Sequence, residues 1–195
     1  MQHDFLAAAE QAALVAREHA VRVDVEAVFP RPTVEACRNH GLFGLISARE
    51  VGGAGLGIAA AAQVIERLAR ECGSSAMVMT MHYAGTAVIE AHGDLDTRRA
   101  IAAGRHLSTL AFSESGSRSH FWAPLSSAQP AGDQVVLEAH KSWITSAGAA
   151  DAFVWSSKPV AASGESSLWL VPRTTPGVAA TARFDGLGLR GNDSA

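Results

Sequence analysis

An α+β layout is predicted for this chain: an N-terminal all-α helical domain followed by an antiparallel β-sheet or barrel domain. Three observations point there. Apolar residues recur at helical spacing through the first half, short β-type runs set between Gly, Ser, Pro and Asp clusters fill the second, and the two textures never alternate as βαβ units would. The change falls at about 105–108, which divides the chain into 1–107 and 108–195, the second part being expected as an incomplete domain.

The elements follow in order. Residues 4–22, rich in alanine, read as a first helix, and Pro32-Thr33 starts a short second one that stops at Gly41. In 58–72, "IAAAAQVIERLAREC", Ile58, Ala61, Ala62, Ile65, Leu68, Ala69 and Cys72 make one continuous helical face, with Glu66, Arg67, Arg70 and Glu71 largely off it. Gly73 breaks that pattern, and Ser74 or Ser75 is placed to cap the next helix, "AMVMTMHYAGTAVIEAH". This helix is apolar nearly all round, so it should be covered on most sides. Gly93 ends it, Asp94 caps "LDTRRAIAA", and Gly104 closes that helix. The β-type runs are then "LSTLAFS", "QVVLEAH", "AFVWSS" and "SLWLVPR".

Composition excludes several classes of function. With 195 residues, 48% of them hydrophobic and 18% charged, the chain reads as a soluble globular protein able to bury a real core. A formal net charge of −3 without any basic run argues against nucleic acid as a partner. No apolar stretch is long enough to span a bilayer, and "MQHDFLAAAE" lacks a basic flank, so a cytoplasmic location is expected. Cys37 and Cys72 stand far apart and are expected as buried free thiols. The glycines at 52, 53, 55 and 57 in "LFGLISAREVGGAGLG" never give G-x-G-x-x-G, which leaves a helix-connecting turn in place of a dinucleotide site. The histidines form no metal-ligand spacing, no G-x-S-x-G elbow exists, and Met77, Met79 and Met81 read as packing residues.

Two stretches in the β half carry chemistry. "LAFSESGSRSH" (110–120) is a strand ending in a turn dense with hydroxyls, able to offer N–H groups and Ser side chains to an anion or a polar heterocycle. In "HKSWITSAGAADAFVW" (140–155), Trp143 and Thr145 lie two residues apart, which on a strand puts an indole and a hydroxyl on one face. The small residues that follow give room for something bulky. By spacing alone this is either a seat for a planar cofactor or a buried Trp beside a satisfied Thr.

In this order and at about this separation, the two stretches resemble the acyl-CoA dehydrogenase family, whose middle β-domain carries Thr-Glu-Pro-Gly-x-Gly-Ser-Asp and then a Trp-Ile-Thr segment. "SESGSRSH" (113–120) is similar to the first, with Ser113 for Thr and with Glu114, Gly116 and Ser119 kept. Segment 29–57 also looks like the family's helix, apolar turn and Gly-Gly loop, and 167–178 and 187–195 look like its later β-domain strands, so the resemblance covers essentially the whole chain. It implies FAD held by Leu110, Ala111, Phe112 and Ser113, with Trp143, Ile144 and Thr145 against the isoalloxazine and Thr145 near its N5. Ser119 would touch both cofactor and acyl-CoA. Ser115 replaces the family's proline, Arg118 a glycine and His120 an aspartate, and the lost proline and glycine unsettle the turn around Ser119; Ser146 for asparagine is a milder change. Arg118 could pair with a pyrophosphate or stand as a solvated turn residue.

The implied reaction is α,β-dehydrogenation of an acyl-CoA thioester, with electrons passed to a flavoprotein acceptor and a homo-oligomer as the full-length form. In the family the base is a glutamate on a C-terminal helical bundle. This chain stops at "GNDSA", so no catalytic residue is assigned and the isolated chain is expected to be inactive. A flavin-dependent monooxygenase on the same scaffold, or a non-enzymatic remnant, are the alternatives.

Overall fold

A computed structural model describes residues 4–117, 123–160, 164–181 and 183–195. Alanine builds the first helix, α1 (Phe5–Val25), which places Ala8, Ala9, Ala12, Ala13 and Ala16 in the core while Asp4 caps its start by accepting from the Ala7 N–H at 3.1 Å. α2 (Arg31–Asn39) opens with Pro32 in its first turn, where a missing N–H costs nothing. α3 (Ile58–Ala69), α4 (Gly73–His92) and α5 (Leu95–Ala102) complete the helical part. α5 begins as its sequence predicts, with the Asp94 carboxylate accepting from the Thr97 N–H at 2.8 Å.

α4 starts earlier than its pattern suggests. Gly73 is its first residue, and Ser74 and Ser75 are buried inside the first turn instead of capping it. The Ser74 hydroxyl is spent elsewhere, accepting from the Gly191 N–H at 3.2 Å. As expected, α4 is enclosed on most of its circumference. The glycine-rich stretch forms a wound connection with a short 3₁₀ turn at Arg49–Val51, and Leu42, Phe43 and Leu45 are fully buried in it.

Two polar side chains of α4 fasten that connection. Tyr83 donates to the Leu42 carbonyl at 2.8 Å, and His82 lies 3.1 Å from the Phe43 carbonyl through Nε2. The Ser108 N–H donates to His82 Nδ1 at 3.2 Å, so the proton sits on Nε2, which donates to Phe43. One imidazole therefore joins three parts of the chain. Burial lowers its pKa from 6.5 to about 4, against the opposing hydrogen bond to Phe43. Cys37 and Cys72 are buried and unpaired with each other, and burial raises the Cys37 thiol to about 12.

The β part holds β1 (Ser108–Ala111), β2 (Ser127–Ala131), β3 (Gln134–Glu138), β4 (Ala152–Ser157) and β5 (Ser167–Pro172). β4 and β5 pair antiparallel, with Trp155 opposite Trp169. β1 pairs with β4 in parallel, Leu110 opposite Val154, a feature that the expectation of an antiparallel sheet did not include. The reason is the intervening hairpin: β2 and β3 with their flanking turns carry the chain back to the end from which β1 set out. β2, "SAQPA", gave no strand signal because of Pro130, which is tolerated in a two-stranded ribbon with open edges. α4 packs directly on β1, a close approach that requires Gly85, since a Cβ there would lie 3.0 Å from Ser108 Cβ. Among the described residues no helix is long and apolar enough to cross a membrane.

Candidate functional site

Trp143 does not lie on a strand. Its backbone sits at φ 63°, Ser146 at φ 59°, and the residues from Thr145 onward form a series of tight turns. The period-two reading that put Trp143 and Thr145 on one strand face is therefore corrected: the left-handed twist turns the indole outward, 61% exposed, while Thr145 is 4% exposed. Ile144 is buried with Ala111 and Phe153.

The end of β1 and this turn segment are nevertheless adjacent. The Ser142 N–H donates to the Ser113 carbonyl at 2.9 Å, and the Thr109 hydroxyl donates to the Thr145 carbonyl at 2.8 Å. Of the residues expected at the site, Ala111, Ile144 and Thr145 are buried and Leu110, Phe112 and Ser113 half-buried, at the edge from which Trp143 projects. Ser119, with Arg118 and His120, lies outside the described residues.

The small residues after Thr145 serve a neighbour within the chain. Segment 192–195 runs along them: Ser146 N–H donates to Asn192 O at 2.9 Å, Ala147 N–H to Asp193 O at 3.0 Å and Gly148 N–H to Asp193 Oδ2 at 2.8 Å. Ile144 and Ala195 exchange both backbone bonds, at 2.8 and 3.2 Å. A Cβ at position 148 would come within 3.0 Å of Asp193 Oδ2, so the room in "SAGAA" is taken by the 192–195 segment, the Asp193 carboxylate included. Sequence had marked 187–195 as later strands; it is a clamp containing a 3₁₀ turn at Arg190–Asn192.

Gly191 seats that clamp on α1, where a Cβ would lie 2.3 Å from Val23 Cγ1 and 2.6 Å from the Val28 carbonyl oxygen. Gly191→Ala is expected to lower stability by about 2 kcal/mol through overpacking. Urea unfolding checks this, and an unchanged midpoint would show that the clamp yields freely.

A second arrangement stiffens the turn after β1. Glu114 and Lys141 form a buried pair at 2.6 Å, with side chains 3% and 5% exposed. The other Glu114 oxygen accepts from Leu125 N–H at 2.5 Å and Ser126 N–H at 3.0 Å. Lys141 also donates to the Ser156 carbonyl at 2.7 Å and lies over the Trp155 ring. Burial pushes the Glu114 carboxyl up, but Lys141 and the two N–H donors together overcome this and hold it below its ordinary value. For Lys141 burial prevails and lowers its pKa; the carboxylate, with donors on both oxygens, fixes the charge state of the pair.

What the shelf can hold follows from its donors. An indole stacked on one face yet 61% exposed has its other face open, and Phe184 covers the first at 3.8 Å with planes 3° apart. The Thr145 N–H has no backbone acceptor among the described residues, and its hydroxyl makes only a long 3.4 Å contact with Ser194 Oγ. An open aromatic face two residues from an unspent donor suits a flat heterocycle with an acceptor edge. A cavity of about 810 Å³, bordered by Ala111, Ile144, Lys141, Trp155, Trp169 and Ala195, opens between β4–β5 and the β2–β3 hairpin, so two of the expected site residues face it instead of the indole. Among the described residues no cluster of His, Cys, Asp or Glu could hold a metal ion. Sequence reasoning missed Lys141, Phe184 and Ser194, since no local pattern links them to partners far along the chain.

Residues 2–103 match the family model described as acyl-CoA dehydrogenase, N-terminal domain, and residues 109–195 the one described as acyl-CoA dehydrogenase, middle domain. The short-chain specific acyl-CoA dehydrogenase of Homo sapiens mitochondria is 34% identical over 185 residues, covering 90% of this chain and 44% of that protein. The chain thus spans less than half of that relative's length. Butyryl-CoA dehydrogenase from Megasphaera elsdenii superposes with a TM-score of 0.88 at 18% identity, over 99% of this chain and 54% of that one. FMN-bound TdsC from Paenibacillus sp. A11-2 gives 0.82 at 22% identity, over 98% and 50%. At these identities the superpositions show a shared fold.

Proposed function

The chain belongs to the acyl-CoA dehydrogenase family, and we propose that it forms the FAD-seating part of an enzyme that dehydrogenates acyl-CoA thioesters. The observation that carries this reading is the open face of Trp143, two residues before the unspent Thr145 N–H, in the segment that packs on the end of β1. Leu110 to Ser113 would border the ring, Trp143 would stack on it, and Ile144 and Thr145 would supply the wall and the donor. Ser119 is assigned to the acyl-CoA by its motif alone.

Bound there, the flavin would supply the acceptor for the hydride that leaves the substrate's β-carbon. The chain's own contribution is positioning: an aromatic face that excludes water from one side, and donors held rigid by the 192–195 clamp. The two buried carboxylates near the shelf are both committed. Glu114 is held by Lys141 and two N–H groups, Asp193 by Arg183 at 2.8 Å and by Gly148. Neither is assigned as the base that removes the α-proton, and turnover by the isolated chain is not expected. The mitochondrial short-chain relative supports a short acyl chain as substrate, a flavoprotein acceptor fits the same reaction, and a homo-oligomer is proposed for the full-length form.

Titrating FAD into the chain while following flavin fluorescence tests the seat. Trp143→Ala is expected to weaken binding about tenfold, the size of a lost stacking contact with its buried area. Equal affinity in the variant would remove Trp143 from the site.

A further inference from the structure

Phe184 lies in a segment without helix or strand, yet it is placed with care. Its N–H donates to the Ser194 carbonyl at 2.9 Å, in the clamp that also lines Thr145. The preceding residue, Arg183, pairs with Asp193 at 2.8 Å and reaches the Ala27 carbonyl on the helical side at 3.3 Å. These anchors hold a half-exposed phenyl ring parallel to Trp143.

We propose that Phe184 is a positioning residue: it backs the inner face of the Trp143 indole and presents the outer face as a preset shelf for the flavin ring. This rests on the flavin reading of Trp143. The physical reason is conformational. An exposed indole on a left-handed backbone has several rotamers open to it, and a flat ligand binding to it would have to fix one of them. Parallel contact with Phe184 at 3.8 Å fixes that rotamer beforehand. Sequence could not mark Phe184, because 41 positions separate it from Trp143 and its neighbours form no periodic pattern.

The test compares the unsubstituted chain with Phe184→Ala, Phe184→Tyr and Trp143→Ala, using FAD as the probe. Near-ultraviolet circular dichroism of the unliganded chain reads the stacking; flavin fluorescence reads affinity. Phe184→Ala is expected to lose the aromatic signal that Trp143→Ala also loses and to bind FAD about 2–10-fold more weakly. Phe184→Tyr is expected to restore both. Far-ultraviolet dichroism confirms that each variant is folded, as the exposed position of Phe184 leads one to expect. If Trp143→Ala weakens FAD and Phe184→Ala does not, the positioning role falls while the seat stands. If Phe184→Ala tightens FAD, Phe184 competes for the indole and the proposal is overturned. If neither substitution changes affinity, or the unsubstituted chain binds no FAD, the seat itself is wrong and the proposal goes with it.

Discussion

Lys141→Ala is expected to destabilise the fold by about 3–5 kcal/mol, the largest loss from a single exchange that this structure predicts. The loss comes from the partner left behind more than from the pair itself. With Lys141 gone, Glu114 keeps its two N–H donors on one oxygen, but the other is buried with no counter-charge. Glu114→Ala should cost a similar amount, because it strands the ammonium and frees the Leu125 and Ser126 N–H groups. The double variant Glu114→Ala with Lys141→Ala should lose clearly less than the sum, since no buried charge remains. Urea denaturation of the four proteins gives the coupling directly. Strict additivity would mean that the pair is solvated and the described geometry wrong. The consequence extends to the site, because this pair ties the turn after β1 to the start of the Trp143 segment and to β4.

Acid should unfold the chain well before carboxylate protonation alone would. His82 is neutral in the folded state, with a pKa of about 4 against 6.5 when unfolded, the cause being burial first and the nearby His106 and Arg38 charges after it. The unfolded chain therefore binds the proton more readily. The stability carried by neutral His82 is fully present above pH 6.5, declines as pH falls, and is gone near pH 4. Linkage sets the loss at roughly 3 kcal/mol across that window. Glu114, whose folded pKa is lowered, adds a further loss as pH falls below its unfolded value of 4.5. His82→Phe should be less stable at pH 7, because the Ser108 N–H and the Phe43 carbonyl lose their partner, but its stability should change less between pH 7 and pH 5. A wild-type chain with equal urea midpoints at pH 7 and pH 5 would show that His82 is accessible to protons in the fold.

How far these features could be read from sequence depends on whether their cause is local. Asp94 as a cap, the alanine-rich first helix and the all-round apolar α4 follow from residues within one helix, and all are found. The Ser74 and Ser75 caps failed because Ser74 meets Gly191, 117 residues away. β2 was hidden by Pro130, whose tolerance depends on an open sheet edge that composition does not reveal. At the site, "WITSAGAA" was legible as something flat followed by something small. Its geometry was not. The left-handed backbone of Trp143 and Ser146 accompanies contact with 192–195, and the small residues are used by that segment, at least 45 positions downstream. The Glu114–Lys141 pair was equally invisible, as its members lie 27 residues apart with a hairpin between them.

The central claim is that a flat cofactor ring rests on the outer face of Trp143 with its acceptor edge toward Thr145. A crystal structure of the chain grown with FAD tests it most directly. The account predicts isoalloxazine density parallel to the indole, on the face opposite Phe184 and within hydrogen-bond reach of the Thr145 N–H. Density for the ring in the cavity between Trp155 and Trp169, with Trp143 left bare, would contradict it.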